Sequence, residues 1–168
     1  MVQPSIILDE CIEALASALE TVANGSEIIR GNQNRTPLPR GDFVVLTELS
    51  CEPVETPHYG WLYPQDLMNL TQPYQLTVQC DVYGHNALER VSAIVATLNS
   101  IVGSYLFPDH IKLLYADDMR QAAMVDETDQ FLERWVCTAY LQYNPKFELG
   151  MEYAEHLSLT NQRGDPQR

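Results

Sequence analysis

The sequence has 168 residues and is strongly acidic, with 23 Asp and Glu against 10 Lys and Arg and a net charge of −13. The length suits one domain, and a hydrophobic content of 45% is enough for a buried core. The excess of negative charge argues against a protein that holds nucleic acid by its phosphates. The sequence has no apolar run of about 18 residues and no basic region before its first apolar stretch. We therefore expect no membrane span, no signal peptide and a cytoplasmic protein.

The first predicted element is an amphipathic helix from Ile6 to Val22. We expect Asn24-Gly25 to terminate this helix. Its apolar residues recur at helical spacing, at Leu8, Cys11, Ile12, Leu15, Leu19 and Val22. The prolines of residues 36–41 exclude a helix there, and this stretch leads into a strand at Asp42–Leu49. Because both faces of that strand are mostly apolar, we predict a central strand covered on both sides.

The segment Cys51–Pro73 combines four prolines with aromatic side chains. It is too interrupted for a helix and longer than an ordinary connection of about 4–6 residues. We predict a projecting arm, which either contacts a partner or folds as a flap over its own core. Large apolar side chains on such an arm are costly to leave in water. The candidate interface residues are Tyr59, Trp61, Leu62 and Tyr63.

The strand Tyr74–Tyr83 alternates apolar and polar residues, so one face packs on the core and a helix covers it. A second helix follows, with Asn86 as N-cap and Glu89 three residues later, and it continues to Gly103. Shorter patterns predict further strands at Ile111–Tyr115 and Glu133–Tyr143.

These elements follow the order α-β-β-α-β-β. They predict an α+β fold with a mostly antiparallel sheet of about four to five strands and two helices packed on one face. We expect residues 1–145 to form a single domain with its arm at about 51–73. Residues 146–168 are polar and aperiodic, which predicts a C-terminal extension.

The motif Tyr115-Ala116-Asp117-Asp118 resembles the Y-x-D-D signature with which reverse transcriptases bind divalent metals. A polymerase also needs basic surfaces for template and primer, which this acidic chain lacks. We favour a strand that ends in a solvated acidic turn, with a metal-dependent enzyme using Asp117 and Asp118 as the alternative. The acidic group Asp126, Glu127 and Asp129 similarly favours a solvated loop over a cation site or a contact with arginines of a neighbouring subunit.

The remaining candidate ligands are scattered. No C-x-x-C pair is present, and we expect reduced, buried cysteines at Cys11, Cys51, Cys80 and Cys137. No H-x-x-x-H pair is present either, and the histidines are His58, His85, His110 and His156. We therefore expect no catalytic residue, no metal, no cofactor and no enzyme activity.

Three stretches together resemble the neck and tail-terminator proteins of long-tailed bacteriophages. The first is Gln33-Asn34-Arg35 with Pro37-Leu38-Pro39 and the strand Asp42–Leu49, the second is Tyr74–Ala87 running into the second helix, and the third is Arg134–Asn144. The resemblance covers most of Ile6–Pro145 and is strongest at Thr77–Gly84.

The resemblance implies a structural virion protein of the phage tail and neck, assembled in the cytoplasm of the host bacterium. Such proteins form a homohexameric ring that ends the tail tube and joins it to head-completion proteins, so the implied partners are further copies, tail tube protein, head-completion protein and tail sheath. Double-stranded DNA would pass through the channel without specific binding, and the charge of −13 would keep it from the wall. A head-completion or adaptor protein on the portal side is the alternative.

Overall fold

The computed structural model describes residues 4–23, 25–32, 39–62, 67–122, 124–125 and 131–150. The helices are α1 (Leu8–Glu20), α2 (Ala87–Leu98) and α3 (Ile101–Tyr105). The strands are β1 (Glu27–Arg30), β2 (Phe43–Pro53), β3 (His58–Leu62), β4 (Leu67–Thr71), β5 (Tyr74–Tyr83), β6 (Ile111–Gln121), β7 (Met124–Val125), β8 (Phe131–Leu132), β9 (Arg134–Tyr143) and β10 (Lys146–Gly150).

The main sheet has the strand order β1-β2-β5-β9-β6. All its neighbouring strands are antiparallel except β1 and β2, which run parallel. Helices α1 and α2 share one continuous core with a single face of this sheet. The predicted α+β class with a mostly antiparallel sheet is confirmed, and the series α1-β2-β5-α2-β6-β9 reproduces the predicted order.

Hydrophobic periodicity accounts for this packing. In α1 the residues at helical spacing, Cys11, Ile12, Leu15 and Leu19, are buried. In β5 every second residue faces the helices, and Leu76, Val78, Cys80 and Val82 have no exposed surface. Each fully buried Leu or Val contributes about 1.5–3 kcal/mol relative to exposure, so the two patterns fix which faces meet.

The prediction that β2 is central is confirmed, since it lies between β1 and β5. The predicted cover on both sides is wrong within the described residues, because the helices pack on one face and Val45 and Thr47 on the other are only partly buried. The strand extends beyond Leu49 to Pro53, because a bulge absorbs one residue. The register with β5 shifts between Glu48 and Ser50, and Leu49 is left 54% exposed. The short edge strand β1 was not predicted.

The second helix differs from its prediction at both ends. Asn86 occupies the N-cap position, but its backbone is left-handed at φ 56° and its side chain makes no capping hydrogen bond. The helix ends at Leu98, not at Gly103. Asn99 turns away to bind β6, where its side chain accepts from the N–H of Ala116 at 2.8 Å and donates to the carbonyl of Ala116 at 2.7 Å. Ser100 then caps the separate helix α3.

All four cysteines are free thiols. Cys11, Cys80 and Cys137 are buried as predicted, whereas Cys51 is exposed, because it lies where β2 leaves the core. The Sγ of Cys51 lies 3.2 Å from the Tyr143 hydroxyl.

Stability is expected to fall at alkaline pH because of these buried thiols. Burial, with a smaller contribution from Glu10, raises the pKa of Cys11 from 9.0 to about 12. The hydrogen bond to Cys137 and burial raise the pKa of Cys80. Since folding favours the neutral thiol, the stabilisation from Cys11 is complete below pH 9 and is lost as pH rises toward about 12, at no more than about 1.4 kcal/mol per pH unit. The contribution of Cys80 is lost in the same direction.

Urea unfolding measured between pH 7 and 11 tests this expectation. The Cys11→Ala variant should lose less stability than the wild type over the alkaline half of that range, because it lacks one titrating group. Equal losses in the two proteins would contradict a role for Cys11.

Candidate assembly interface

The predicted arm forms a second sheet. Strands β3 and β4 make a β-hairpin, and β10 pairs with β4 on its other side, in the order β10-β4-β3. Two backbone hydrogen bonds connect this arm sheet to the main sheet, from the N–H of Val54 to the carbonyl of Pro73 at 3.0 Å and from the N–H of Gln72 to the carbonyl of Pro145 at 3.2 Å. The arm is therefore a continuation of β2, β5 and β9.

Residues 146–150 were predicted to belong to an aperiodic extension, and that description is wrong for them because they form β10. Their alternation of Phe147 and Leu149 with Lys146 and Glu148 is the signal that could have shown it. Residues 151–168 lie outside the described part of the chain.

Strand register gathers large apolar side chains on one face of the arm sheet. Tyr59 and Phe147 both lie opposite Leu70, while Trp61 and Leu149 both lie opposite Met68. Residues directly opposite each other in antiparallel strands share a face. This surface, the arm face, consists of Tyr59, Trp61, Met68, Leu70, Phe147 and Leu149.

The arm face is substantially open to solvent. Tyr59 is 61% exposed and Trp61 is 56% exposed, and the other four residues are partly buried. A shallow hollow of about 360 Å³ lies at its base, lined by Leu70, Gln72, Tyr74, Phe147 and Leu149. A contiguous exposed apolar surface of this kind is typical of a protein–protein contact.

Of the four predicted interface residues, the structure brings Tyr59 and Trp61 together on the arm face. Leu62 ends β3, but its side chain is outside what the structure describes, as is Tyr63. Met68, Leu70, Phe147 and Leu149 were missed because their face depends on the register of three strands.

A second exposed apolar surface lies on α3 and was also missed. Ile101 is 74% exposed, Val102 is 55% exposed and Tyr105 is 79% exposed. Gly103 packs against the end of α2, where an added Cβ would come within 3 Å of the carbonyl of Leu98. The buried glycine side of α3 thus turns these three side chains, the α3 patch, outward.

The Y-x-D-D motif lies inside β6 and not at its end. Tyr115 stacks on Tyr140 with ring centroids 4.4 Å apart, and Asp118 takes a left-handed backbone at φ 55° in a bulge. Asp118 forms an ion pair with Arg120 at 2.9 Å. The predicted turn after Tyr115 is wrong because this bulge lets β6 continue to Gln121.

No group of three or more metal-binding side chains occurs within the described residues. Asp126, Glu127 and Asp129 lie outside them, as does His156. His58 and His110 are exposed on the surface beside Glu55 and Glu10, at 2.9 Å and 3.8 Å.

The outer face of the main sheet holds a buried polar cluster centred on Asp81, which is 4% exposed. Arg134 donates to Asp81 Oδ1 through Nη2 at 2.8 Å and through Nε at 3.1 Å, and Gln79 donates to both carboxylate oxygens. The Arg134 guanidinium also lies over the ring of Tyr83, 5.5 Å from its centre. Because the buried carboxylate has these hydrogen-bond donors, the cluster stabilises the pairing of β5 with β9.

The apolar surfaces and the sheet topology suit a protein that assembles with others. The model of one protein family, described as phage neck terminator protein, matches residues 9–164 of the chain. The chain belongs to this family. The phage neck terminator match includes the arm sheet and most of the predicted C-terminal extension. No curated protein matches the chain.

The family match confirms the resemblance found in the sequence. It makes this neck terminator a structural protein of the phage neck and places it in the virion. Within the described residues no helix has both the length and the apolar character needed to cross a membrane.

Proposed function

We propose that this neck terminator forms a homo-oligomeric ring that ends the tail tube and joins it to the head-completion proteins. The observation that carries the proposal is the arm face, on which Tyr59 and Trp61 are more than half exposed in a chain of the neck terminator family. A monomer would leave this surface in water, whereas a ring covers it in every subunit.

The acidity of the chain supports the same function. A ring of subunits with a charge of −13 each surrounds its channel with negative potential. Duplex DNA, which is itself a polyanion, then passes through without adhering to the wall. In this proposal DNA is cargo, and the tail tube, head-completion and sheath proteins are the partners.

We expect the purified protein to elute as a multiple of the monomer mass in size-exclusion chromatography with light scattering. Electron microscopy should show rings with an open channel, since closed rotational symmetry satisfies every contact. Added to polymerising tail tube protein, the chain should shorten the tubes and appear at one end of them.

Two outcomes would count against this proposal. A strict monomer at high concentration that forms no ring on tail tubes would contradict it. Binding to purified heads but not to tubes would instead favour an adaptor on the portal side of the neck.

A further inference from the structure

We propose that the subunits of the ring meet head to tail, with the arm face of one subunit packed on the α3 patch of the next. This inference rests on the ring proposed above and specifies its contact. The arm face and the α3 patch are two different surfaces of one chain. Pairing unlike surfaces is the defining feature of a heterologous interface, and such an interface closes into a ring when its rotation permits.

The charge of the chain limits where two copies can touch. Each copy carries −13, so contact through most of its surface brings like charges together. The α3 patch and the central strand of the arm face lie in uncharged stretches, since no Asp, Glu, Lys, Arg or His occurs from Val91 to Pro108 or from Leu67 to Cys80. These stretches contain α3 and β4, respectively. The outer strands of the arm sheet, β3 and β10, carry His58, Lys146 and Glu148. Because the α3 patch brings no charged residue from its own stretch of the chain, we take the α3 patch of another copy as the occupant of the arm face.

The fold places the two surfaces on different elements of the subunit. The arm sheet continues β2, β5 and β9, whereas α3 precedes β6, the edge strand, which among the described residues has no continuation in the arm. The start of β6 at Ile111 pairs with Tyr143, which also pairs with Tyr74 at the base of the arm. Both surfaces thus lie toward the same end of the main sheet, and one belongs to the arm while the other belongs to the β6 edge.

The shapes are compatible with insertion of a side chain. The arm face has a shallow hollow of about 360 Å³ beside Leu70 and Phe147. On α3, Ile101 and Tyr105 are one helical turn apart and protrude together, at 74% and 79% exposed. Aromatic anchors that fill hollows of this kind contribute much of the energy of an interface.

Three matched substitutions test the contact, because the chain has exposed tyrosines on the arm face, on the α3 patch and elsewhere. Tyr59→Asp disrupts the arm face, Tyr105→Asp disrupts the α3 patch, and Tyr115→Asp on β6 adds the same charge outside both surfaces. Each of the first two should weaken association at least about 30-fold, as loss of an anchoring aromatic does, and leave monomers. Tyr115→Asp should still form rings.

Mixing the two defective variants gives the decisive measurement. The Tyr105→Asp subunit keeps its arm face and the Tyr59→Asp subunit keeps its α3 patch, so an equimolar mixture should form a dimer through one intact contact and no ring. Sedimentation velocity at high protein concentration measures this, and far-ultraviolet circular dichroism checks that each variant is folded. If Tyr59→Asp is unfolded, Tyr59→Ser replaces it.

Several results would overturn the head-to-tail contact while leaving the ring intact. If Tyr105→Asp subunits associate into rings as strongly as the wild type, the α3 patch is not part of the contact. Rings that the Tyr59 variant forms with wild-type affinity would show the same for the arm face. A mixture of folded variants that stays monomeric would contradict the pairing of these two surfaces. A monomeric wild type would instead refute the ring itself, together with this contact.

Discussion

Replacement of Arg90 by methionine is expected to lower the free energy of unfolding by about 2–4 kcal/mol. The Arg90 side chain is buried, with the residue only 8% exposed, although it lies on a helix near the surface. Its Nη2 donates to the carbonyl oxygens of Tyr83 and His85, and its Nη1 donates to Ser26 and lies 3.0 Å from Asp42. Methionine fills a similar volume but leaves these acceptors without their donor.

The position of Arg90 explains the size of this effect. It joins α2 to the end of β5 and to Ser26 just before β1, and Asp42 in turn accepts the N–H of His85 at 2.9 Å. Buried acceptors that lose a charged donor cost more than exposed ones. Because Asp42 is itself 46% exposed, water compensates part of the lost ion pair, and we expect less than the loss typical of a fully buried pair.

Urea unfolding at a fixed protein concentration measures the change, since assembly makes stability depend on concentration. Arg120→Met is the matched control, because Arg120 is 58% exposed beside Asp118 and such surface pairs contribute about 0–1 kcal/mol. Equal destabilisation by the two substitutions would show that Arg90 does not organise this region.

Truncation of Leu141 to alanine should cost about 2–5 kcal/mol, the range observed when a buried leucine is shortened. Leu141 has no exposed surface and lies in β9 between Leu76 of β5 and Leu113 of β6. The neighbouring strands hold this row of leucines in place, so the space cannot readily collapse. The expected loss is large compared with the about 5–15 kcal/mol that stabilises a typical domain.

Leu114→Ala is the control for this truncation, because Leu114 is 42% exposed on the adjacent strand. It should change the free energy of unfolding by no more than about 0.5 kcal/mol. Thermal and urea unfolding of the two variants give the comparison. A loss below about 1 kcal/mol for Leu141→Ala would mean that the core repacks around the cavity.

Sequence patterns predicted the helices and strands in which apolar residues repeat at a regular period along one face. Helix α1 and strand β5 were predicted because their apolar residues repeat at periods that match helix and strand geometry. The same regularity shows Arg90 at a buried helical position, three residues after Ala87 and four before Ile94, but it gives no partner for the guanidinium. The groups that the guanidinium binds come from three separate segments of the chain, at Ser26, at Asp42 and at Tyr83 with His85.

Strands whose pairing is distant in sequence could not be located in this way. Strand β1 has four residues and exists because it pairs with β2, whose partner residues lie 16 positions later in the chain. Strand β10 exists because β4 offers it an edge, although β4 is more than 70 positions earlier in the chain. Such short segments carry too few residues for periodicity to be decisive.

Composition and local patterns were enough to predict the α+β class, the acidic charge, the resemblance to phage neck proteins and the position of the aromatic arm. Which arm residues share a face follows from the folded structure, because one step of strand register moves every side chain to the opposite side. The folded structure also decided that α3 exposes Ile101, Val102 and Tyr105, since the close approach of Gly103 to Leu98 sets the direction of that helix. Local periodicity can be read from the sequence, whereas surfaces built from several segments depend on how those segments pack.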